Sequence, residues 1–238
     1  MRMSANRPVF FILFLTGLLV LSFSSVACRA TRQFGNPEPK GFLGDYSDLK
    51  KGEKGEARLI YIKPNVTWTR WARYKAVMID SVTFWHGEDD TSVSPEDQQK
   101  LTDHLYQALH KQLSKDYEIV DKPGPGVLRI RAAITQAKGA NVAGNVVTGV
   151  VPQIRLASML VGLSTNTAKF VGGAAIEGEV TDSVSNERLL AAVDERAGTK
   201  RPDQMFSKWG DVEKAFDFWA DRLRQRLESL RKGGGGEG

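Results

Sequence analysis

The sequence predicts an α+β fold: a two-layer sandwich in which a mostly antiparallel sheet of four to five strands is covered by two amphipathic helices. Three observations lead there. Two long segments repeat apolar residues at the helical period, several shorter ones alternate at the period of a strand, and the helical segments are separated by strand-like ones in the order strand, strand, helix, short strand, strand, hairpin, helix.

The first strand is ARLIYIKP, from Ala57 to Lys63, stopped by Pro64. In the next segment, NVTWTRWARY, Trp68, Trp71 and Tyr74 recur three apart, which suits either aromatic packing over a sheet edge or a partner-binding patch. The stretch YKAVMIDSVTFW, Tyr74 to Trp85, carries apolar side chains on both parities, the pattern of an interior strand. SPEDQQKLTDHLYQALHKQLSKD opens on Ser94 as N-cap, Pro95 at the first helical position and Asp97 in the capping-box place; Leu101, Leu105, Ala108, Leu109 and Leu113 then mark one buried face.

A short strand in YEIVD and a rigid KPGPG turn lead into VLRIRAAITQA, where Leu128, Ile130, Ala132 and Ile134 form a packed side opposite a wetter one. GAAIEGEVTDSVSNERLLAAVDERAG reads as a hairpin turning at DSVSNE. The last helix, about Asp211 to Leu230, is amphipathic through Val212, Ala215, Phe216, Trp219, Leu223, Leu227 and Leu230, with acidic residues at its start and arginines at its end. The domain assignment follows: 1–27 a signal peptide, 28–56 a tether and lead-in, 57–231 a single domain, and 232–238 a glycine-rich tail expected to be disordered. Within the lead-in, Phe42, Leu43, Tyr46 and Leu49 interrupt the polar composition at spacings suited to a short helical turn or a clamp packed on the domain.

The N-terminus sets the expected location. Arg2 and Arg7 precede an apolar run from Val9 to Phe23, followed by the small residues of SFSSVAC. That order is the order of a secretion signal, with a single membrane-spanning helix as the competing reading. Cys28 is the sole cysteine, so it has no internal disulfide partner. Ser25, Val26, Ala27 and Cys28 resemble the lipobox of bacterial lipoproteins, although Ser25 stands where leucine is commonest. The resemblance implies cleavage before Cys28 and acylation of that residue, making the bilayer a partner through its lipid chains. Arg29 in the next position implies, by likeness to sorting in enteric bacteria, the outer membrane and its periplasmic face.

Residues 139 to 173 are unusual. Between Gly139 and Gly173 only Arg155 and Lys169 are charged, and glycines punctuate small and β-branched residues. Three readings compete: an irregular crossover with a short helix from Ile154 to Leu163, a surface that meets another copy or an envelope partner or lipid headgroups, and a membrane-inserting hairpin. The candidate interaction surface therefore comprises Trp68, Trp71, Ile154, Leu156, Met159 and Leu160.

Recognisable catalytic chemistry is missing. The formal charge of +5 is small and scattered, which argues against nucleic acid as a partner. His104 and His110 are not at metal-pair spacing; His86 with Glu88, Asp89 and Asp90 reads as a solvated loop before it reads as a cation site. Glu177 and Glu179 share a strand face and resemble an acid pair, but are expected to be open to solvent. No catalytic residue, cofactor or metal is expected beyond the acyl chains on Cys28.

Three motifs carry a further resemblance. GFLGDYSDLK, Gly41 to Lys50, YKAVMIDSVTFW with Tyr74, Ile79, Asp80 and Val82, and the hairpin framed by Glu179, Asp182 and Glu187 and closed by Asp194 to Gly198, resemble the bacterial lipoprotein family carrying domain of unknown function 3313. The resemblance runs from about Gly41 to Leu230 and implies an envelope location without a reaction. The expected function is that of a membrane-anchored lipoprotein with a periplasmic interaction or assembly domain. The alternatives are a subunit of a secretion or transport complex that oligomerises through 139–173, and a periplasmic protein that binds a small ligand or lipid.

Overall fold

The computed structural model of the chain describes residues 31–35, 37–85, 93–140, 172–198 and 207–233. In chain order the elements are β1 (Thr31–Gln33), β2 (Lys50–Lys51), β3 (Leu59–Ile62), α1 (Trp68–Trp71), β4 (Ala76–Ile79), β5 (Thr83–Phe84), α2 (Pro95–Leu113), β6 (Glu118–Ile119), β7 (Val127–Lys138), β8 (Gly173–Asp182), β9 (Arg188–Gly198) and α3 (Gly210–Arg231).

The strands form one nine-stranded mixed sheet in the order β2-β3-β9-β8-β7-β4-β6, with β1 also pairing β9 and β5 also pairing β7. This corrects the expected four to five mostly antiparallel strands under two helices: the described residues hold nine strands and three helices. The lead-in supplies β1 and β2 as strands of the same sheet. The stretch from Tyr74 to Trp85 is broken around Asp80 into β4 and β5, which follow each other along one edge of β7. Both pair with β7 in parallel, and β4 pairs with β6 in parallel across the α2 crossover, so a purely antiparallel reading fails there.

The long hairpin β8–β9 turns at Asp182, whose carboxylate accepts from the backbone N–H groups of Val184 (3.1 Å) and Ser185 (2.9 Å), an Asx-type turn. Ser94 caps α2, its hydroxyl accepting from the Asp97 N–H at 3.2 Å. Helices α2 and α3 lie side by side on one face of the sheet, and the main core forms between them and Val77, Leu128, Ile130, Ile134, Val180 and Leu190. A smaller cluster occupies the other face, where Leu43 packs on Ala191 and Val193, flanked by Phe42, Tyr46, Leu49, Leu59 and Tyr61. The apolar residues of the lead-in thus form a strap, residues 38–50, over the face that lacks helices.

Candidate functional site

Alternation along β7, β8 and β9 assigns side chains to the two faces. On the strap face, Glu177 lies between Ala133 and Val193, and Glu179 between Arg131 and Ala191. Neither carboxylate is open to solvent, contrary to the sequence expectation: Glu177 is 0% and Glu179 6% exposed. Glu177 accepts from the backbone N–H groups of Lys40 and Leu43 and from the Tyr46 hydroxyl. That hydroxyl in turn accepts from the N–H groups of Gly41 (2.8 Å) and Leu43 (3.1 Å). Gly41 and Gly44 adopt φ of 97° and 74°, a left-handed backbone that lets the strap bend its N–H groups towards the carboxylate. Burial, followed by the hydrogen bond to Glu177, pushes the Tyr46 hydroxyl pKa up.

Glu179 is clamped by Arg131 (2.6 Å) and Arg188 (2.8 Å), and Arg188 also donates to the carbonyls of Leu43 and Asp45, both at 2.7 Å. Trp85 donates to the Lys40 carbonyl at 3.0 Å and meets Phe42 edge-on. The other motif residues are committed in the same way. Asp80 binds Arg129 through both oxygens, Glu187 binds Lys63 and Arg70, and Tyr74, with a pKa pushed up to about 12 by burial and the Asp182 carboxylate, donates to Asp182. The residues that look most chemical in the sequence are internal fastenings.

The opposite face holds open space. Ala132, Gly178, Ala192 and Ile60 are register partners in turn across four strands, and they form the floor of a trough beneath α3. Above a Cβ placed on Gly178 no helix atom comes within 4 Å; its nearest neighbours are the Arg131 carbonyl oxygen and Ala132. The trough encloses about 430 Å³, with Leu105 and Leu109 of α2 and Trp219 and Leu223 of α3 among its walls. Trp219 donates to the buried Asp194 at 2.7 Å, which fixes α3 over β9 at one end. At the rim, Arg226 pairs with Glu56, and Arg222 donates to the Gly55 carbonyl.

Gly55, Ala57 and Phe218 belong both to this trough and to an adjoining hollow of about 560 Å³ bordered by Arg32, Lys51, Lys54, Arg58 and Arg196. Glu53 is the acidic residue there. Arg196 is engaged with Thr31 and lies over the Phe218 ring at 3.6 Å. The Arg58 Nε is buried without a hydrogen-bond partner among the described residues.

A third feature is the end of the sheet at which the chain enters. Thr31 is the register partner of Gly198, Gly173 of Ala197, and Lys138 of Gly173. Asp211 at the start of α3 accepts from the Gly172 N–H at 2.8 Å, and the Ala140 N–H donates to the Lys208 carbonyl at 2.7 Å. A Cβ on Gly198 would lie 2.1 Å from the Asp211 carboxyl carbon, so only glycine allows this approach.

Of the residues expected to form an interaction surface, Trp71 is 2% exposed and part of the core, whereas Trp68 is 59% exposed. The aromatic repeat is therefore split between packing and surface. Cys28, Ile154, Leu156, Met159 and Leu160 lie outside the described residues, as does the His86 loop. Among the described residues no group of three or more His, Cys, Asp or Glu side chains could hold a metal ion, and no helix is long and apolar enough to cross a membrane. The trough was missed because small residues in three strands become one feature only once the register is known.

Solved structures similar to this chain include the dodecamer of PelC from Paraburkholderia phytofirmans (10% identity, TM-score 0.38, covering 69% of this chain and 94% of that one). A candidate lipoprotein from Caulobacter crescentus is 8% identical, with a TM-score of 0.34 and coverage of 70% and 96%. A homologue of a neuraminyllactose-binding hemagglutinin from Helicobacter pylori is 10% identical, with a TM-score of 0.37 and coverage of 67% and 91%. Likeness at this level extends to neither assembly nor binding. No curated protein matches the chain. Residues 38–223, which run from the strap into α3, match the family described as protein of unknown function (DUF3313), and the chain belongs to that family.

Proposed function

We propose that this protein is an envelope lipoprotein: residues 1–27 are removed, Cys28 carries the acyl chains, and the domain serves at the periplasmic face of the outer membrane as a non-catalytic interaction or assembly module. The observation that supports this reading is the register at the entry end of the sheet. Cys28 stands three residues before Thr31, a reach of about 11 Å at full extension. Thr31 pairs on β9 beside Gly198, and Gly173 and Lys138 follow on the next two strands, each about 5 Å further on. An anchor at Cys28 would hold this end against the bilayer.

The chain leaving at Ala140 and returning at Gly172 starts and finishes at that same end. Its sequence carries Ile154, Leu156, Met159 and Leu160 among few charges. Lipidation would therefore bring Ala140 and Gly172, the described residues that flank this stretch, to the side of the bilayer. Several acyl chains, each contributing about 0.8 kcal/mol per buried methylene, give stable attachment where one gives only marginal attachment.

The test is to express the full chain and its Cys28→Ser variant in a diderm host, fractionate the membranes, and record intact and native masses. The wild type is expected in the outer-membrane fraction with the leader replaced by acyl mass, and the variant is expected to leave that fraction. A free thiol with the leader still attached overturns the reading. A ring-sized native mass would favour a subunit of a secretion or transport complex.

A further inference from the structure

We propose that the trough beneath α3 binds one long acyl chain, with its anionic carboxylate head resting on the basic hollow beyond Gly55 and Phe218. Its volume of about 430 Å³ falls in the range of roughly 300–1,000 Å³ occupied by small-molecule sites, which are typically apolar with a few placed polar groups. The walls are mostly apolar, with the charged residues Glu56, Asp194, Arg222 and Arg226 among them, and part of the floor is bare: Ala132, Gly178 and Ala192 follow one another in register where larger residues would fill the space.

Charge selects the head group. The trough opens past Gly55 and Ala57 towards Arg32, Lys51, Lys54 and Arg58; Glu53 borders the same hollow, Glu56 and Asp194 line the trough and Glu195 attracts Arg58, which leaves the basic side chains in excess. At the rim, Arg222 adds a charge, whereas Arg226 is neutralised by Glu56. A neutral or cationic head would leave that basic excess standing, while a carboxylate reduces it. Trp219, tied to Asp194, and the adjacent Phe218 both line the trough on its α3 side.

The experiment uses the full-length protein in nanodiscs and palmitic acid bearing a mid-chain diazirine. After irradiation, label is expected on peptides containing Ile176 to Val180 and Trp219 to Leu223. Excess palmitate should compete at least tenfold better than hexadecanol, which has the same chain without the charge. Ala192→Leu, which fills the floor, is expected to lower trough labelling at least tenfold while circular dichroism stays unchanged; Ala132→Leu is the equivalent variant on the neighbouring strand. Labelling that persists in a folded variant, or equal competition by hexadecanol, overturns the proposal. Equal competition by phosphatidylglycerol would assign the trough to a membrane lipid and overturn the free-acid ligand. Should neither variant fold, the competition arms alone decide.

Discussion

Glu177 and Gly178 are neighbours on β8, and they face opposite sides of the sheet with opposite consequences. Glu177 is sealed under the strap with a donor on each carboxylate oxygen. Gly178 looks into unfilled space below α3. A buried charge persists only where its partners are fixed, so the strap face must be closely specified down to the left-handed glycines that aim its N–H groups. The helix face is held mainly by non-directional apolar contact, with the Trp219–Asp194 hydrogen bond at one end, and tolerates a gap. The comparison shows that the most buried carboxylate is fully occupied by its own chain, whereas the space on the other face opens over a floor of small residues.

The largest test of that contrast is Glu177→Ala. It would leave the N–H groups of Lys40 and Leu43 and the Tyr46 hydroxyl without their shared acceptor. Removing one side of such a buried charged contact typically costs about 3–5 kcal/mol. Urea unfolding should register that loss, with hydrogen exchange accelerating first in residues 40–50. If the loss stayed under about 0.5 kcal/mol, the strap would not depend on the carboxylate and the contrast between the faces would collapse.

A finer test uses one substitution at adjacent residues. Ala191 is fully buried beneath Leu43, whereas Ala192 borders the trough. Ala191→Leu is expected to destabilise by about 1–3 kcal/mol through overpacking. Ala192→Leu has room to enter and should stay within about 0.5 kcal/mol of the wild type, or gain slightly. Thermal melts of the two variants side by side measure the difference. Equal losses would mean that the trough closes in solution.

Much of this fold could be read from the sequence. The capped helix from Pro95, the hairpin turning at Asp182 and the last helix all follow from local periodicity and turn chemistry. Non-local pairing could not be read in this way. Lys50 and Lys51 carry no strand pattern and pair only because Leu59 and Ile60 are nearby. The parallel ladder between β4 and β7 depends on where the α2 crossover lands. The same limit explains the glutamates: alternation put Glu177 and Glu179 on one face, but a segment more than a hundred residues earlier covers that face. The trough, likewise, is a property of register across strands and not of any one strand.

The smallest expected effect concerns the contact between the two long helices, where His104 on α2 and Asp217 on α3 lie 3.4 Å apart. The Asp217 carboxylate raises the His104 pKa above its ordinary 6.5, against the opposing effect of burial; the same contact lowers that of Asp217 below 3.8. Glu213 adds to the attraction for the His104 proton and Lys214 offsets part of it, while Lys214 and Lys111 lower the Asp217 pKa further. A raised histidine pKa stabilises the folded state fully below the unfolded pKa, and the contribution disappears as pH rises through the folded one. The lowered aspartate pKa acts the other way, its contribution being lost as pH falls through the folded value. The bridge therefore acts from below pH 3.8 to above pH 6.5, and the partly exposed pair should contribute under about 1 kcal/mol. Melting temperatures of the wild type and His104→Gln should differ most near pH 5 and converge as pH rises past the histidine's folded pKa, whereas a difference independent of pH would show that packing against Phe216, and not charge, joins the two helices.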